Sequence, residues 1–192
     1  MAPNRIISGG AMLAALLIVG ILAGCGGGGS STAKATEAAS GGPSTDAALL
    51  DKVLARQEAA VGAFAAVGPA LPPRLARMAA YFRAQEQEHV DAVLKALRGL
   101  GSPAEPSPEP LDASGLKTDR ERLVFLYEVE SATIDEELSA ISKLEATWPR
   151  SLLASTVADQ AQHLTLLRRA LGAGPLASIP VPFENGTAPP PE

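Results

Sequence analysis

Residues 86–97 read Glu86-Gln-Glu-His89-Val-Asp-Ala-Val-Leu-Lys-Ala-Leu97, and residues 160–171 read Gln160-Ala-Gln-His163-Leu-Thr-Leu-Leu-Arg-Arg-Ala-Leu171. The two stretches align at an offset of 74 residues, and they carry the chain's only two histidines at the same place. Each has apolar residues on the histidine's side at helical spacing: Val90 and Val93 in the first, Leu164 and Leu167 in the second. On the segments that precede them, Glu58 and Glu130 align at an offset of 72 residues. The chain therefore reads as two similar helical hairpins.

Working outward, four helical segments are expected. The first runs from about Asp46 to Val67, with Leu50, Val53, Leu54, Val61 and Phe64 on one side, and Gly68-Pro69 ends it. The second begins near Pro73, where a missing N–H is harmless, and runs to about Arg98 before Gly99 and Gly101. The third starts at Thr118, whose spacing from Glu121 is that of a capping box. Leu123, Leu126, Ile134, Leu138 and Ile141 carry its apolar stripe. The fourth runs from Pro149 to about Leu171, ended by Gly172, with Trp148 at the bundle end. Alanine and leucine dominate, β-branched residues are sparse and aromatics make up 4% of the chain, a composition that favours helix over sheet.

The connections set the topology. Short loops join the first helix to the second and the third to the fourth, so each pair is antiparallel. The middle connection contains Ser102-Pro-Ala-Glu-Pro-Ser-Pro-Glu-Pro110 and reaches to about Lys117. Fully extended it spans roughly 55 Å, enough to pass along a helix of about 25 residues, near 38 Å long. The second and third helices can then lie parallel, giving an all-α four-helix bundle with one long crossover. The bundle is assigned to residues 45–174 and a proline-rich tail to 175–192, in which Leu176, Ile179, Val181 and Phe183 are expected to fold back on the bundle.

Helical spacing turns the repeated polar residues inward. Glu58 shares a face with Leu54 and Val61, Glu86 with Phe82 and Val90, Glu130 with Leu126 and Ile134, and Gln160 with Leu153 and Leu164. Glu137, one heptad beyond Glu130, can lie on a similar face. Carboxylates and imidazoles in an apolar interior are costly unless paired or bound to a cation. Residues three apart on one helix can converge on a single ion, and iron or manganese suits mixed carboxylate and imidazole ligands. A satisfied polar network is the other account of the same residues. Tyr81 and Tyr127 are expected in packing roles, and Arg74, Arg77, Lys95, Arg168 and Arg169 on solvated faces.

On Glu58, Glu86-x-x-His89, Glu130, the run Asp159-Gln-Ala-Gln-His163 and the Leu-Arg-Arg-Ala-Leu-Gly that follows, residues 46–185 resemble the ferritin-like domains of bacterial lipoproteins. Di-iron members of that wider superfamily carry Glu, Glu-x-x-His, Glu, Glu-x-x-His. The resemblance thus implies a metal centre, of one ion or two, built from Glu58, Glu86, His89, Glu130, Gln160 and His163, with a capacity to oxidise iron. Gln160 departs from the pattern: a neutral amide oxygen is a weak ligand and a poor bridge between two ions. Asp159 does not substitute, being rotated by about 100° from it. Two functions stay open: a metal-binding or oxidoreductase module, or a metal-free helical envelope module that takes a protein or small-ligand partner.

The N-terminus supplies an address. One positive charge at Arg5 precedes an apolar run from Ile6 to Leu22, the layout of a secretory signal. The run is too short and too glycine-rich for a comfortable transmembrane span. It ends in Leu22-Ala23-Gly24-Cys25, which resembles the lipobox of bacterial lipoproteins and marks the chain's single cysteine for lipidation. Residues 1–24 read as the removed signal, and 25–44 as the lipidated cysteine with a Gly/Ser-rich tether of very roughly 20–25 Å. With one cysteine, no disulfide can form within the chain.

The expected partner is therefore a membrane, held through lipid on Cys25, on the extracytoplasmic face of the cell membrane or outer envelope. The net charge of -5 falls to -6 once residues 1–24, whose one charged side chain is Arg5, are removed. An acidic chain without clustered Lys and Arg argues against nucleic acid as a partner. A closed storage cage would need many subunits whose anchors all reached one bilayer, so a local task at the surface is expected.

Overall fold

The computed structural model describes residues 44–104, 108 and 110–180. The expected lipidation site at Cys25, the expected signal region, and Val181 and Phe183 lie outside them. Four α-helices and no strands are present among the described residues: α1 Thr45–Val67, α2 Pro73–Gly99, α3 Asp119–Ile141 and α4 Thr147–Ala170, with a 3-10 turn at Gly68–Ala70. The chain is an all-α bundle.

Local chemistry fixes the ends. Ser44 Oγ accepts from the Ala47 N–H at 3.2 Å to start α1. Thr118 and Glu121 form the capping box reciprocally: Thr118 Oγ1 accepts from the Glu121 N–H at 3.2 Å, and Glu121 Oε2 from the Thr118 N–H at 2.7 Å. Both histidine-bearing helices end in Schellman motifs. Ser102 N–H donates to Leu97 O and Gly101 N–H to Arg98 O; Ala173 N–H donates to Arg168 O and Gly172 N–H to Arg169 O. Gly101 (φ 71°) and Gly172 (φ 107°) take the left-handed conformation that each motif requires.

The fourth helix starts two residues before Pro149, so the proline sits in the first turn, where no intrahelical N–H is needed. Asp46 anchors the turn that precedes it, its carboxylate oxygens accepting from the Glu145 N–H at 2.8 Å and the Ala146 N–H at 2.9 Å. Trp148 is half exposed and lies over Gly99 at the end of α2.

Two apolar clusters fill the bundle. One gathers Phe64, Val67, Phe82, Leu123, Leu126, Tyr127, Leu164 and Leu167. The other gathers Leu50, Val53, Leu54, Val90, Val93, Leu97, Ala140 and Leu153. Following the chain through them gives the directions. The α1 and α4 helices run from the second cluster to the first; α2 and α3 run the opposite way, parallel to each other. Ala104 packs on the second cluster and Leu111 and Leu116 on the first. The connection between α2 and α3 therefore crosses the length of the bundle, as its proline-rich length implied.

Beyond α4 the expectation fails in part, because Leu176 and Ile179 are exposed. The turn at 174–179 instead buries Ser178, whose N–H donates to Gly174 O and whose hydroxyl donates to Pro175 O. Among the described residues no helix is long and apolar enough to cross a membrane.

Candidate metal centre

Between the two apolar clusters lies a belt of buried polar residues: Gln57 from α1, Glu86 from α2, Glu130, Thr133 and Glu137 from α3, and Thr156, Gln160 and His163 from α4. His89 joins it from α2 and is 12% exposed. Five of the six predicted ligands, Glu86, His89, Glu130, Gln160 and His163, meet here.

Glu58 does not. It is half-buried on the side of α1 that faces Pro108, Pro110 and Leu111 of the crossover. Burial along α1 and α3 shows why. The inward residues pair at an offset of 73: Leu50 with Leu123, Val53 with Leu126, Leu54 with Tyr127, Ala60 with Thr133, Val67 with Ala140. That register matches Glu130 with Gln57. Aligning like with like, Glu58 with Glu130, slips it by one residue and about 100° of helix.

His163 is the hub. Its ring stacks on Phe82, with centroids 4.0 Å apart and planes 23° from parallel, and Phe64 meets Phe82 edge-on. Nδ1 lies 3.0 Å from Glu130 Oε1 and 3.4 Å from Glu86 Oε1. Nε2 lies 2.9 Å from Gln85 Oε1. This amide fixes the outer nitrogen as a donor and leaves Nδ1 for the carboxylates. His89 spans Glu86 (Nδ1–Oε1 3.5 Å) and Asp159 (Nε2–Oδ2 3.3 Å).

Three further residues, not counted among the ligands in the sequence, complete the network. Glu137 accepts from Gln57 Nε2 at 2.7 Å, from Gln160 Nε2 at 3.3 Å and from the Thr156 hydroxyl. Gln85 bridges α2 to α4 by donating to Asp159 at 3.4 Å. Asp159, though rotated out of the core, reaches both histidines from the α2–α4 seam, since it lies one turn before His163 at 3.7 Å.

The electrostatics are those of a crowded acidic site. Burial pushes Glu130 well up, and the neighbouring Glu86 charge adds to it, against the pull of His163 and His89. Burial likewise raises Glu137 to about 7, opposed by its bonds from Thr156 and Gln57. Burial would raise Glu86 too, but hydrogen bonds and charges from His163 and His89 overcome it and bring that carboxyl down. For His163 burial works downward, and the carboxylates of Glu130 and Glu86 overturn it, lifting the imidazole to about 9.

The donor set fits a cation. Glu86, Glu130 and His163 each offer a ligand atom, all within 4.8 Å of one another. Of four buried oxygens, Gln57 Oε1, Glu130 Oε2 and Gln160 Oε1 have no hydrogen-bond donor, and Glu86 Oε1 has only the imidazole Nδ1 atoms of His163 and His89 at 3.4 and 3.5 Å. All four are electron-pair donors, a deficit that a bound cation relieves and that another carbonyl or carboxylate does not.

A bundle with one crossover and a buried carboxylate–imidazole belt defines a class, the ferritin-like helical proteins. The family model of the Ferritin-like domain matches residues 36–183, and the chain belongs to that family. No functionally curated protein matches it. Among solved structures, it is similar to a conserved hypothetical protein, rv2844, from Mycobacterium tuberculosis. The TM-score is 0.61 at 20% identity, over 68% of this chain and 92% of that one. It is also similar to a ferritin-like, diiron-carboxylate protein from Bacillus anthracis str. Ames. There the TM-score is 0.59 at 21% identity, over 67% of this chain and 99% of that one.

Proposed function

We propose that this protein is a lipid-anchored, extracytoplasmic ferritin-like protein that binds iron or manganese in its bundle core. The observation that carries the metal reading is the convergence of Glu86, Glu130 and His163 among buried oxygens of which three have no donor. Bound iron would supply one-electron chemistry there. The chain's own residues would hold the ion through Glu86, Glu130 and His163, keep His163 oriented through Phe82 and Gln85, and admit His89 and Asp159 as polar neighbours on the α2–α4 seam. The anchor rests on the lipobox-like stretch ending at Cys25 and the glycine-rich segment after it.

Anaerobic titration of the purified chain with ferrous iron or with Mn(II) tests the metal reading, and admitting oxygen to the ferrous complex tests oxidation. Saturable uptake that Glu130→Gln abolishes is expected. Uptake absent in both titrations removes the reading. Labelling of cells with radioactive palmitate tests the anchor, with Cys25→Ser expected to lose the label and leave the membrane fraction.

A further inference from the structure

We propose that the core takes one divalent ion, not two, and that Gln57 and Gln160 are the residues that exclude the second. The inference rests on the metal-binding reading above and narrows it.

The packing register supplies the first argument. A two-ion centre in this fold draws one glutamate from each of two helices and a Glu-x-x-His pair from each of the other two. In the register that the buried residues define, those four carboxylate positions are 57, 86, 130 and 160. Two of the four are glutamine, one on each hairpin. The second of these was visible in the repeat, whereas the first emerges only from the packing.

The second argument is where the amides point. Gln160 Nε2 donates to Glu86 Oε2 at 3.2 Å and to Glu137 Oε1 at 3.3 Å. Gln57 Nε2 donates to Glu137 Oε1 at 2.7 Å. Each amide thus spends its N–H groups on carboxylate oxygens that a second ion would need, and its own Oε1 is a neutral, weak ligand in exchange. Glu137 does not make up the shortfall. Both of its oxygens accept hydrogen bonds, one from the two amides and one from Thr156. What stays open to a cation is the opposite side, where Glu86 Oε1 and Glu130 Oε1 face His163 Nδ1 at 3.4 and 3.0 Å.

Charge points the same way. Glu86 and Glu130, the two carboxylates that converge with His163, together balance one divalent ion, and the interior makes unbalanced charge costly. His163 remains as a neutral ligand, so the site suits a single cation of the manganese or ferrous type.

The test is a count. The full chain, in detergent, is titrated anaerobically with Mn(II); bound metal is quantified after gel filtration, and the bound ion is read by electron paramagnetic resonance. Glu86→Gln is run in parallel to subtract ions held elsewhere on the surface. One ion per chain, with no spin coupling to a neighbour, is expected. Two ions overturn this inference and leave the metal reading standing; none overturns both.

Gln57→Glu combined with Gln160→Glu should raise the count from one to two and introduce spin coupling. A folded double variant that still takes one ion shows that the glutamines are not what sets the stoichiometry. If that variant does not fold, the count on the unsubstituted chain still decides the number of ions.

Discussion

Glu137→Gln isolates the cost of the buried acidity from any metal. Glu137 is fully buried, its neighbours hold it with three donors, and burial lifts its pKa from the ordinary 4.5 to about 7. A carboxyl raised in the fold binds protons more tightly folded than unfolded. Its contribution to stability is therefore complete below pH 4.5, erodes at about 1.4 kcal/mol per pH unit up to 7, and is gone above that. Between pH 5 and pH 8 the loss comes to roughly 2–3 kcal/mol.

The amide in the variant has nearly the same shape and cannot ionise. Its oxygen can still accept from Gln57 and Gln160. Its nitrogen can donate to Thr156 Oγ1, whose single proton then turns to Leu153 O, 2.9 Å away. Urea unfolding in the presence of a chelator, at pH 5, 6, 7 and 8, gives the assay. The two proteins should be close at pH 5, and the variant should be more stable by about 2–3 kcal/mol at pH 8 with an unchanged m value. Parallel profiles across that range would refute the reasoning, since they would mean that Glu137 ionises as readily in the fold as out of it.

Three other outcomes follow from the same geometry. Ligation needs Glu130 and His163 to shed protons that their raised pKa values retain at neutrality. Mn(II) binding should therefore release about one to two protons at pH 7 into weak buffer and weaken as the pH falls; an indicator dye measures the release, and pH-independent binding would contradict it. Metal at about 100 times its Kd should add roughly 2.7 kcal/mol of stability, raising the melting temperature by about 5–10 °C, reversibly with chelator. Asp46→Ala removes the acceptors of two backbone N–H groups at the α3–α4 turn and should cost about 2 kcal/mol by denaturant titration without touching metal affinity.

Most of the fold was legible because its signals are local. Pro73, Thr118 with Glu121, Gly101 and Gly172 act within one helical turn, and the structure uses each of them as its spacing implied. The crossover was readable from length alone. Asp46 was not, since its acceptors serve backbone groups 99 and 100 residues away and an aspartate near a helix start has many local uses. The site divides the same way. Spacing within a helix correctly turned Glu86, His89, Glu130 and His163 inward. Register between helices is a matter of packing, and residue type misled there: Glu58 looks like Glu130, while Gln57 is buried like it.

That one-residue correction changes the chemistry more than it changes the fold. With Glu58 in the core, the belt would carry carboxylates at three of the four ligand positions, with a single glutamine departing from the pattern. With Gln57 there, each hairpin contributes one glutamate and one glutamine, and Glu137 enters from a position whose partner on α1 is Phe64. An apolar residue on one side and an acid on the other breaks the internal symmetry at that level. The two amides bind the unmatched acid, and the paired acids remain on the side of His163. The belt is therefore divided into a half where two amides and a hydroxyl hold Glu137, leaving only neutral amide oxygens without donors, and a half where the short-handed oxygens are the carboxylates of Glu86 and Glu130. Only the second half offers charged ligands to a cation. Substitutions in the first, such as Glu137→Gln, should move stability with pH far more than they move metal affinity.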